Sequence, residues 1–118
     1  MTGNVYDMGA GTVAVQSEGG RIVVRASGEI DYEAHRELDA VYEAVAERQP
    51  CDVVVDLGAT TFVDSVGLGF LVRLHNAVLK AGRRMTVVDA SRQVRRTFGL
   101  TGLDRVLTLA PPQATQAS

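Results

Sequence analysis

Hydrophobic and polar residues alternate in the first part of the chain in a way that predicts two strands. The runs Thr12–Gln16 and Arg21–Ser27 are rich in Val and Ile, and Ser17-Glu18-Gly19-Gly20 separates them. Glycine in this spacer allows the positive φ angles of a hairpin turn. In the second run one face is entirely apolar and the other is mostly charged, as in a half-buried strand. The pattern therefore predicts an N-terminal β-hairpin.

After the predicted hairpin, the spacing of apolar residues changes to that of a helix. Gly28-Glu29-Ile30-Asp31 interrupts the strand pattern, and Asp31 is a suitable helix N-cap. From Tyr32 to Arg48, apolar residues recur every three or four positions, with charged residues on the opposite face. This spacing predicts an amphipathic helix, which Pro50 brings to an end.

The rest of the chain alternates between strand-like and helix-like segments. Val53-Val54-Val55 does not alternate, which predicts a strand buried on both faces. We expect a loop at Gly58–Asp64, then a helix from Ser65 to about Lys80, capped by Gly82. Three short elements are predicted after it: a strand at Met85–Val88, a helix from a Ser91 cap to Phe98, and a last strand at Val106–Ala110.

This order predicts a single α/β domain. We expect a mixed, mostly parallel sheet of four to five strands, with an N-terminal hairpin and helices mainly on one face. The domain covers residues 12–110, between an N-terminal extension (1–11) and a disordered tail (111–118). Three loops should meet at the carboxyl edge of the sheet, where open α/β sheets carry their sites: Gly28–Asp31, Gly58–Asp64 and Asp89–Ser91.

Composition and charge narrow the functional classes. The chain has 118 residues, 46% of them hydrophobic, which is enough for one domain with a real core. Its net charge of −2 predicts no general affinity for nucleic acid or membranes. Residues 1–64 carry 12 acidic and 4 basic side chains, and the remainder carry 2 and 8; we expect the fold to mix the two halves. The single Cys51 and the absence of a signal-like start predict a reducing cytoplasm.

The segment Asp64-Ser65-Val66-Gly67-Leu68-Gly69 is the candidate site. A serine at a helix start is in most cases only an N-cap. Gly67 and Gly69, however, each cost up to roughly 1 kcal/mol relative to Ala in a helix, and they leave the backbone bare near Ser65. The free N–H groups of a helix start also favour an anion. Phosphorylation would add about −1.5 to −2 charges there.

The helix projection divides the apolar residues that follow Ser65. The expected core arc contains Gly67, Phe70, Leu71, Leu74, Ala77 and Val78. Leu68 and Val72 lie between this arc and Ser65, and we interpret them as an exposed apolar strip for another protein. Leu79 is expected to seal the edge of the core instead.

Catalytic interpretations find little support. The chain has no Walker phosphate loop, no complete dinucleotide fingerprint and no Gly-x-Ser-x-Gly. His35 and His75 fall at polar or border positions of the two helices, so Ser65 has no evident base. Asp52, Asp56 and Asp64 could suggest a metal site, but Asp56 is expected to end a buried strand and cap a turn. We therefore predict no enzymatic activity, no metal and no cofactor.

Several motifs in order resemble the STAS family, specifically the bacterial anti-sigma factor antagonists. They are Gly28-Glu29-Ile30-Asp31, Asp56-Leu57 with Phe62, Asp64-Ser65-Val66-Gly67-Leu68-Gly69, and Thr101-Gly102-Leu103. The resemblance implies that the unphosphorylated chain binds an anti-sigma factor, a serine kinase, and so frees the sigma factor. It also implies that phosphorylation of Ser65 breaks the complex, and that a serine phosphatase acts transiently to restore it.

The resemblance also implies that Asp31 and the loop containing Asp64 lie near the partner surface, beside the strip that the helix projection indicates. We expect the partner surface to contain Asp31, Asp64, Ser65, Val66, Leu68, Gly69, Val72 and Asn76, in a cytoplasmic protein that is a monomer or a weak dimer. The alternative is a STAS scaffold subunit of a larger signalling or lipid-transport assembly, in which Ser65 is never phosphorylated.

Overall fold

The chain folds around one six-stranded sheet whose strand order follows the chain. The computed structural model describes residues 3–111. The strands are β1 (Gly3–Asp7), β2 (Gly11–Glu18), β3 (Arg21–Ile30), β4 (Val53–Val63), β5 (Met85–Val88) and β6 (Thr108–Leu109), and the helices are α1 (His35–Ala46), α2 (Ser65–Lys80) and α3 (Arg92–Thr101). Strands β1, β2 and β3 pair antiparallel, and β3 to β6 pair parallel.

All three helices bury their apolar stripes in one core. Leu38 of α1, Leu74 of α2 and Phe98 of α3 are at most 1% exposed. They belong to a single cluster with the sheet residues of one face, among them Val24 and Val55. Each such buried side chain contributes about 1.5–3 kcal/mol of transfer free energy. The predicted α/β class, with helices on one face, is confirmed.

The predicted count of four to five strands is too low. Gly3–Asp7, which we assigned to an extension, pairs antiparallel with β2, Val5 opposite Ala14 and Tyr6 opposite Val13. This segment is short and mostly polar, so nothing local marks it as a strand. Its stability comes from pairing with residues that are distant in the sequence, and from Tyr6, which packs on the core.

Strands β3 and β4 are longer than their sequence patterns indicate. Strand β3 continues to Ile30 through two register shifts, and β4 includes most of the predicted Gly58–Asp64 loop. Strand β5 stops opposite Asp56. The Asp89–Ser91 loop therefore lies beside Gly58, roughly 20 Å along β4 from Asp64 at about 3.3 Å per residue. Only two of the three expected loops meet at Ser65.

The second face of the sheet carries no helix within residues 3–111. Val54 is accordingly half-buried, and the prediction of a strand buried on both faces is wrong. Val23 on this face is only 4% exposed. The Arg25 side chain extends along the same face, where Nη1 donates to Gln16 and Glu18 at 3.0 Å each. Long polar side chains therefore cover part of this helix-free face.

The remaining elements agree with their patterns. A 3-10 turn, Tyr32–Ala34, leads into α1, and Asp31 caps it by accepting the N–H of Glu33 at 3.1 Å. The last strand is present but shorter than predicted, and the predicted disordered tail from residue 112 onward lies outside the described residues.

Ion pairs Arg73–Asp39 (2.8 Å) and Arg83–Asp52 (3.1 Å) join the basic half of the chain to the acidic half. None of the helices in residues 3–111 is long and apolar enough to cross a membrane.

Candidate functional site

Asp64 fixes the end of β4 to the start of α2. Its backbone N–H donates to Ile30 O at 3.1 Å. Its Oδ1 accepts the N–H groups of Val66 and Gly67 at 2.9 and 3.0 Å, and its Oδ2 accepts that of Tyr32 at 2.9 Å. Asp64 is therefore the N-cap of α2, and the interpretation of Ser65 as a cap is wrong.

Ser65 occupies the first helical position and is exposed. Aspartate is as good an N-cap as serine, so the Ser65 hydroxyl is not needed to satisfy the helix start. The expectation that free N–H groups would hold a phosphate here needs correction. The Asp64 carboxylate already accepts the N–H groups of Val66 and Gly67, so it competes with any anion added to Ser65.

The two glycines near Ser65 have different roles. A Cβ on Gly67 would lie 2.7 Å from both Ile30 O and Val63 Cγ1, so Gly67 allows α2 to pack closely on the sheet. A Cβ on Gly69 would meet nothing within 4 Å. Only Gly69 leaves backbone bare at the surface, and the expectation of a bare surface is wrong for Gly67.

The exposed side of α2 forms a continuous strip that begins at Ser65. Ser65, Gly69, Val72 and Asn76 fall on one helix face at successive spacings of four, three and four residues, over about 16 Å at 1.5 Å per residue. Ser65, Gly69 and Asn76 are exposed, and Val72 is half-buried. The Ser65 surface is defined as this strip together with Val66, Asp64 and Asp31.

Leu68 does not belong to this surface. It is 8% exposed and packs in the core cluster, so the interpretation of it as part of an exposed strip is wrong. Leu79 differs in the opposite sense. It is 60% exposed, although the helix projection placed it at the core edge. The projection gives the direction of a side chain but not where the neighbouring elements end.

Two exposed aromatic residues that the sequence analysis did not assign to the partner surface lie close in the chain to Asp31 and Asp64. Tyr32 is 64% exposed, stacks on His35 with ring centroids 5.0 Å apart, and is joined to Asp64 through its backbone N–H. Phe62 is 45% exposed near the end of β4. Aromatic residues are enriched where proteins bind one another. The sequence signal that could have identified Tyr32 is its position directly after the Asp31 cap.

Arg73 borders the strip on the side of α1. Its Nη1 donates to Asp39 at 2.8 Å, and its guanidinium lies 4.3 Å from the centroid of the Tyr42 ring. A cation over an aromatic face contributes about 0.5–1 kcal/mol at exposed sites. These contacts fix α1 against α2 beside Gly69 and Val72. No spacing in the sequence indicates them.

The site is acidic, and the neighbouring His35 bonds to the backbone. Asp31 is flanked in sequence by Glu29 and Glu33, and neither these three residues nor Asp64 has an ion pair within the described residues. His35 Nδ1 bonds to Tyr32 O at 2.9 Å instead of Ser65. In residues 3–111 no three His, Cys, Asp or Glu side chains group as a metal site.

The three aspartates that might have suggested a metal are spread along β4 and its ends. Asp52 Oδ1 accepts Arg83 Nε–H at 3.1 Å, and Asp56 Oδ1 accepts the Gly58 N–H at 2.8 Å. Asp64 is the cap described above. Each carboxylate has a separate structural partner.

Comparison with known proteins gives three findings. The STAS domain family model matches residues 12–115. An anti-sigma-B factor antagonist of Staphylococcus epidermidis is 30% identical over 80 residues, which is 68% of this chain and 74% of that protein. The crystal structure of an anti-sigma factor antagonist from Mycobacterium paratuberculosis has a TM-score of 0.78 at 33% identity, covering 93% of both chains.

A fourth likeness concerns the fold alone. The Bacillus cell fate determinant SpoIIAA in its phosphorylated form has a TM-score of 0.64 at 18% identity, covering 89% of this chain and 96% of that one.

Proposed function

The chain belongs to the STAS family of anti-sigma factor antagonists, and we propose that its unphosphorylated form binds an anti-sigma factor through the Ser65 surface. Binding frees the sigma factor that the anti-sigma factor holds. The anti-sigma factor is a serine kinase that phosphorylates Ser65 and thereby breaks its own complex. A serine phosphatase restores the binding form. Both reactions take place in the cytoplasm.

The observation that carries this proposal is the structural independence of the Ser65 hydroxyl. Asp64 caps α2 and joins it to Tyr32, while Ser65 is exposed at the next position. A kinase can therefore reach the hydroxyl, and the fold does not depend on it. The SpoIIAA likeness supports the same point, because a protein of this fold has a phosphorylated form.

The switch acts by charge at the contact. A phosphate on Ser65 would lie beside the Asp64 carboxylate, which already accepts the N–H groups of Val66 and Gly67. The added charge would therefore not be neutralised by the first turn of α2. Like charges brought together at an interface cost several kcal/mol, and each 1.4 kcal/mol is a tenfold change in affinity. We expect phosphorylation to weaken binding by at least about 100-fold on this scale.

The chain itself is not expected to catalyse a reaction. It supplies the hydroxyl that accepts the phosphoryl group, and the kinase binds the ATP. Gly67 serves close packing against Ile30 and Val63 and so does not contribute to a phosphate-binding loop.

The test begins with identification of the partner. A Ser65→Ala protein, which cannot be phosphorylated, serves as bait for the anti-sigma factor. Calorimetric titration then compares the unphosphorylated wild type, Ser65→Ala, Ser65→Asp and the phosphorylated protein. We expect the first two to bind equally, Ser65→Asp to bind at least about tenfold more weakly, and the phosphorylated protein at least about 100-fold more weakly. Ser17→Asp is the charge control, because Ser17 is exposed at the hairpin end of β2.

Two results would overturn the proposal. Ser65→Asp binding as tightly as wild type would contradict the charge mechanism. An intact mass that gains no phosphate after incubation with the captured kinase and ATP would contradict the switch and favour a scaffold role.

A further inference from the structure

The two edges of the sheet differ in how they are protected against pairing. Strand β6 has two residues and is soon followed by Pro111. Strand β1 has five residues, Gly-Asn-Val-Tyr-Asp, and its register with β2 is unbroken. Natural proteins protect edge strands with very short length, charged side chains, proline or bulges. Strand β1 has one charge, on its last residue Asp7, and neither proline nor bulge, and within residues 3–111 its outer edge has no neighbour.

The side chains of β1 leave this edge both anchored and exposed. Tyr6 pairs with Val13 and packs against the core, which fixes the strand from the helix side. Val5 pairs with Ala14 on the helix-free face and is 74% exposed. The Asp7 carboxylate turns back to accept the Gly9 N–H at 2.9 Å. The centre of β1 is therefore ordered and carries no charge.

We propose that β1 is a homodimer interface, in which the β1 strands of two copies pair antiparallel about a two-fold axis through Val5. The two sheets then join into one continuous sheet. This register places Val5 opposite Val5 of the second copy, Asn4 opposite Tyr6, and Gly3 opposite Asp7. An antiparallel strand pair of this kind is isologous, so it closes at two copies.

The charges of the strand fit this register. The only charged residue, Asp7, lies opposite Gly3, which has no side chain to obstruct it. The two Asp7 residues stand four positions apart, about 14 Å at 3.4 Å per residue, which exceeds the screening length of about 8 Å at physiological salt. No like charges meet.

Gln16 supplies a polar partner for the incoming Asp7. A Cβ placed on Gly3 would lie 3.0 Å from Gln16 Cγ and 3.6 Å from Gln16 Nε2, so the Gln16 side chain lies over Gly3. Gln16 Oε1 is occupied by Arg25 Nη1 at 3.0 Å, which leaves Nε2 as a donor. The carboxylate of the second copy would therefore approach an amide donor.

The dimer leaves the Ser65 surface free. Strands β2 and β3 separate β1 from β4, a distance of about 14 Å at 4.8 Å per strand. The proposal is thus independent of phosphorylation and of the anti-sigma factor. Two five-residue strands bury little area, so association is weak and belongs with the small interfaces below about 1,200 Å².

Sedimentation equilibrium of the full chain tests the proposal. Wild type is expected to pass from 12.6 kDa toward twice that mass between about 10 µM and about 1 mM, as weak interfaces do. Val5→Lys should remain a monomer, because two lysines would face each other about 5 Å apart at the axis. Val5→Thr, which keeps a β-branched side chain, should still dimerise. Leu79→Lys, an equal charge change at an exposed site on α2, should also dimerise.

Hydrogen exchange locates the interface without any variant. The β1 amides that face away from β2 should gain protection as wild-type concentration rises, while those of β6 should not. A wild type that stays monomeric up to about 1 mM, or a Val5→Lys protein that dimerises like wild type, would overturn the proposal. So would loss of the dimer in Leu79→Lys, or concentration-dependent protection confined to other elements.

Discussion

The carboxylate of Asp64 accepts the backbone N–H of Tyr32 at 2.9 Å. The same side chain accepts the N–H groups of Val66 and Gly67, so one residue holds the segment after β3 to the first turn of α2. The acidic edge of the sheet and the start of the helix are therefore fixed relative to each other. The partner contacts that we propose on both segments would depend on this one side chain.

Replacement of Asp64 by alanine should destabilise the domain. Loss of an N-cap costs about 0.5–2 kcal/mol, and the Tyr32 N–H, at an exposed hydrogen bond, can bond to water once the carboxylate is removed. We expect a loss of about 2 kcal/mol in the free energy of unfolding, measured by urea denaturation. Glu43→Ala, an exposed site in α1, is the control. Equal urea midpoints for Asp64→Ala and Glu43→Ala would contradict this account.

The two glycines of the site should respond oppositely to alanine. Gly67→Ala places a methyl group 2.7 Å from Ile30 O and Val63 Cγ1, and such overpacking costs about 1–3 kcal/mol. Gly69→Ala meets nothing and should gain up to about 1 kcal/mol from helix propensity. Urea unfolding of both variants checks this, and a Gly67→Ala protein as stable as wild type would contradict the packing argument.

Tyr32 should matter for partner binding more than for stability. Its ring is 64% exposed, and surface substitutions usually change stability by less than about 0.5 kcal/mol. A buried aromatic contact at an interface is often worth more than about 2 kcal/mol. Tyr32→Ala should therefore weaken binding of the anti-sigma factor by about tenfold or more. Leu100→Ala, at a site 78% exposed on α3, is the control in the same titration and should bind like wild type.

Asp52 should give the domain an acid-dependent part of its stability. Its pKa is lowered because the carboxylate accepts the backbone N–H of Arg84 and the Nε–H of Arg83. Because the folded pKa lies below the unfolded value of about 3.9, the stabilisation is complete above that pH. It is lost as the pH falls through the folded pKa.

Urea unfolding across the pH range checks this linkage. The difference in stability between wild type and Asp52→Asn should be constant from about pH 7 to about pH 5 and shrink below about pH 4. Asp104→Asn, at an exposed position, is the control for general charge effects. A difference that is independent of pH down to about pH 3 would contradict the linkage.

Sequence patterns predict the elements whose apolar period is regular. Helices α1 and α2 follow their expected faces through Leu38, Val41, Leu74 and Val78, all buried. The patterns fail where glycine and polar residues interrupt a strand. Gly28 lies at a register shift of β3, and Gly58 lies inside β4. Both glycines resemble loop residues, because the pairing of Gly28 itself, and of the residues on either side of Gly58, involves residues distant in the sequence.

At the candidate site, too, local sequence does not determine the role of each single residue. Asp64 and Ser65 are equally good N-caps, so local chemistry cannot decide which of them begins α2. Leu68 and Leu79 were assigned to opposite environments from those observed, since burial depends on which elements reach each end of α2. The position of Ser65 at the sheet edge was predictable, because strand order alone determines it.

The separation of the cap from the serine has a consequence for protein turnover. Asp64 caps α2 whether or not Ser65 carries a phosphate, so the repulsion between that phosphate and the Asp64 carboxylate acts on a helix start that remains capped. Both forms should then stay folded and be cleared by cellular proteases at similar rates. The ratio of the two forms would report only the balance of kinase and phosphatase, and the total amount of antagonist would remain a separate variable for the cell to set.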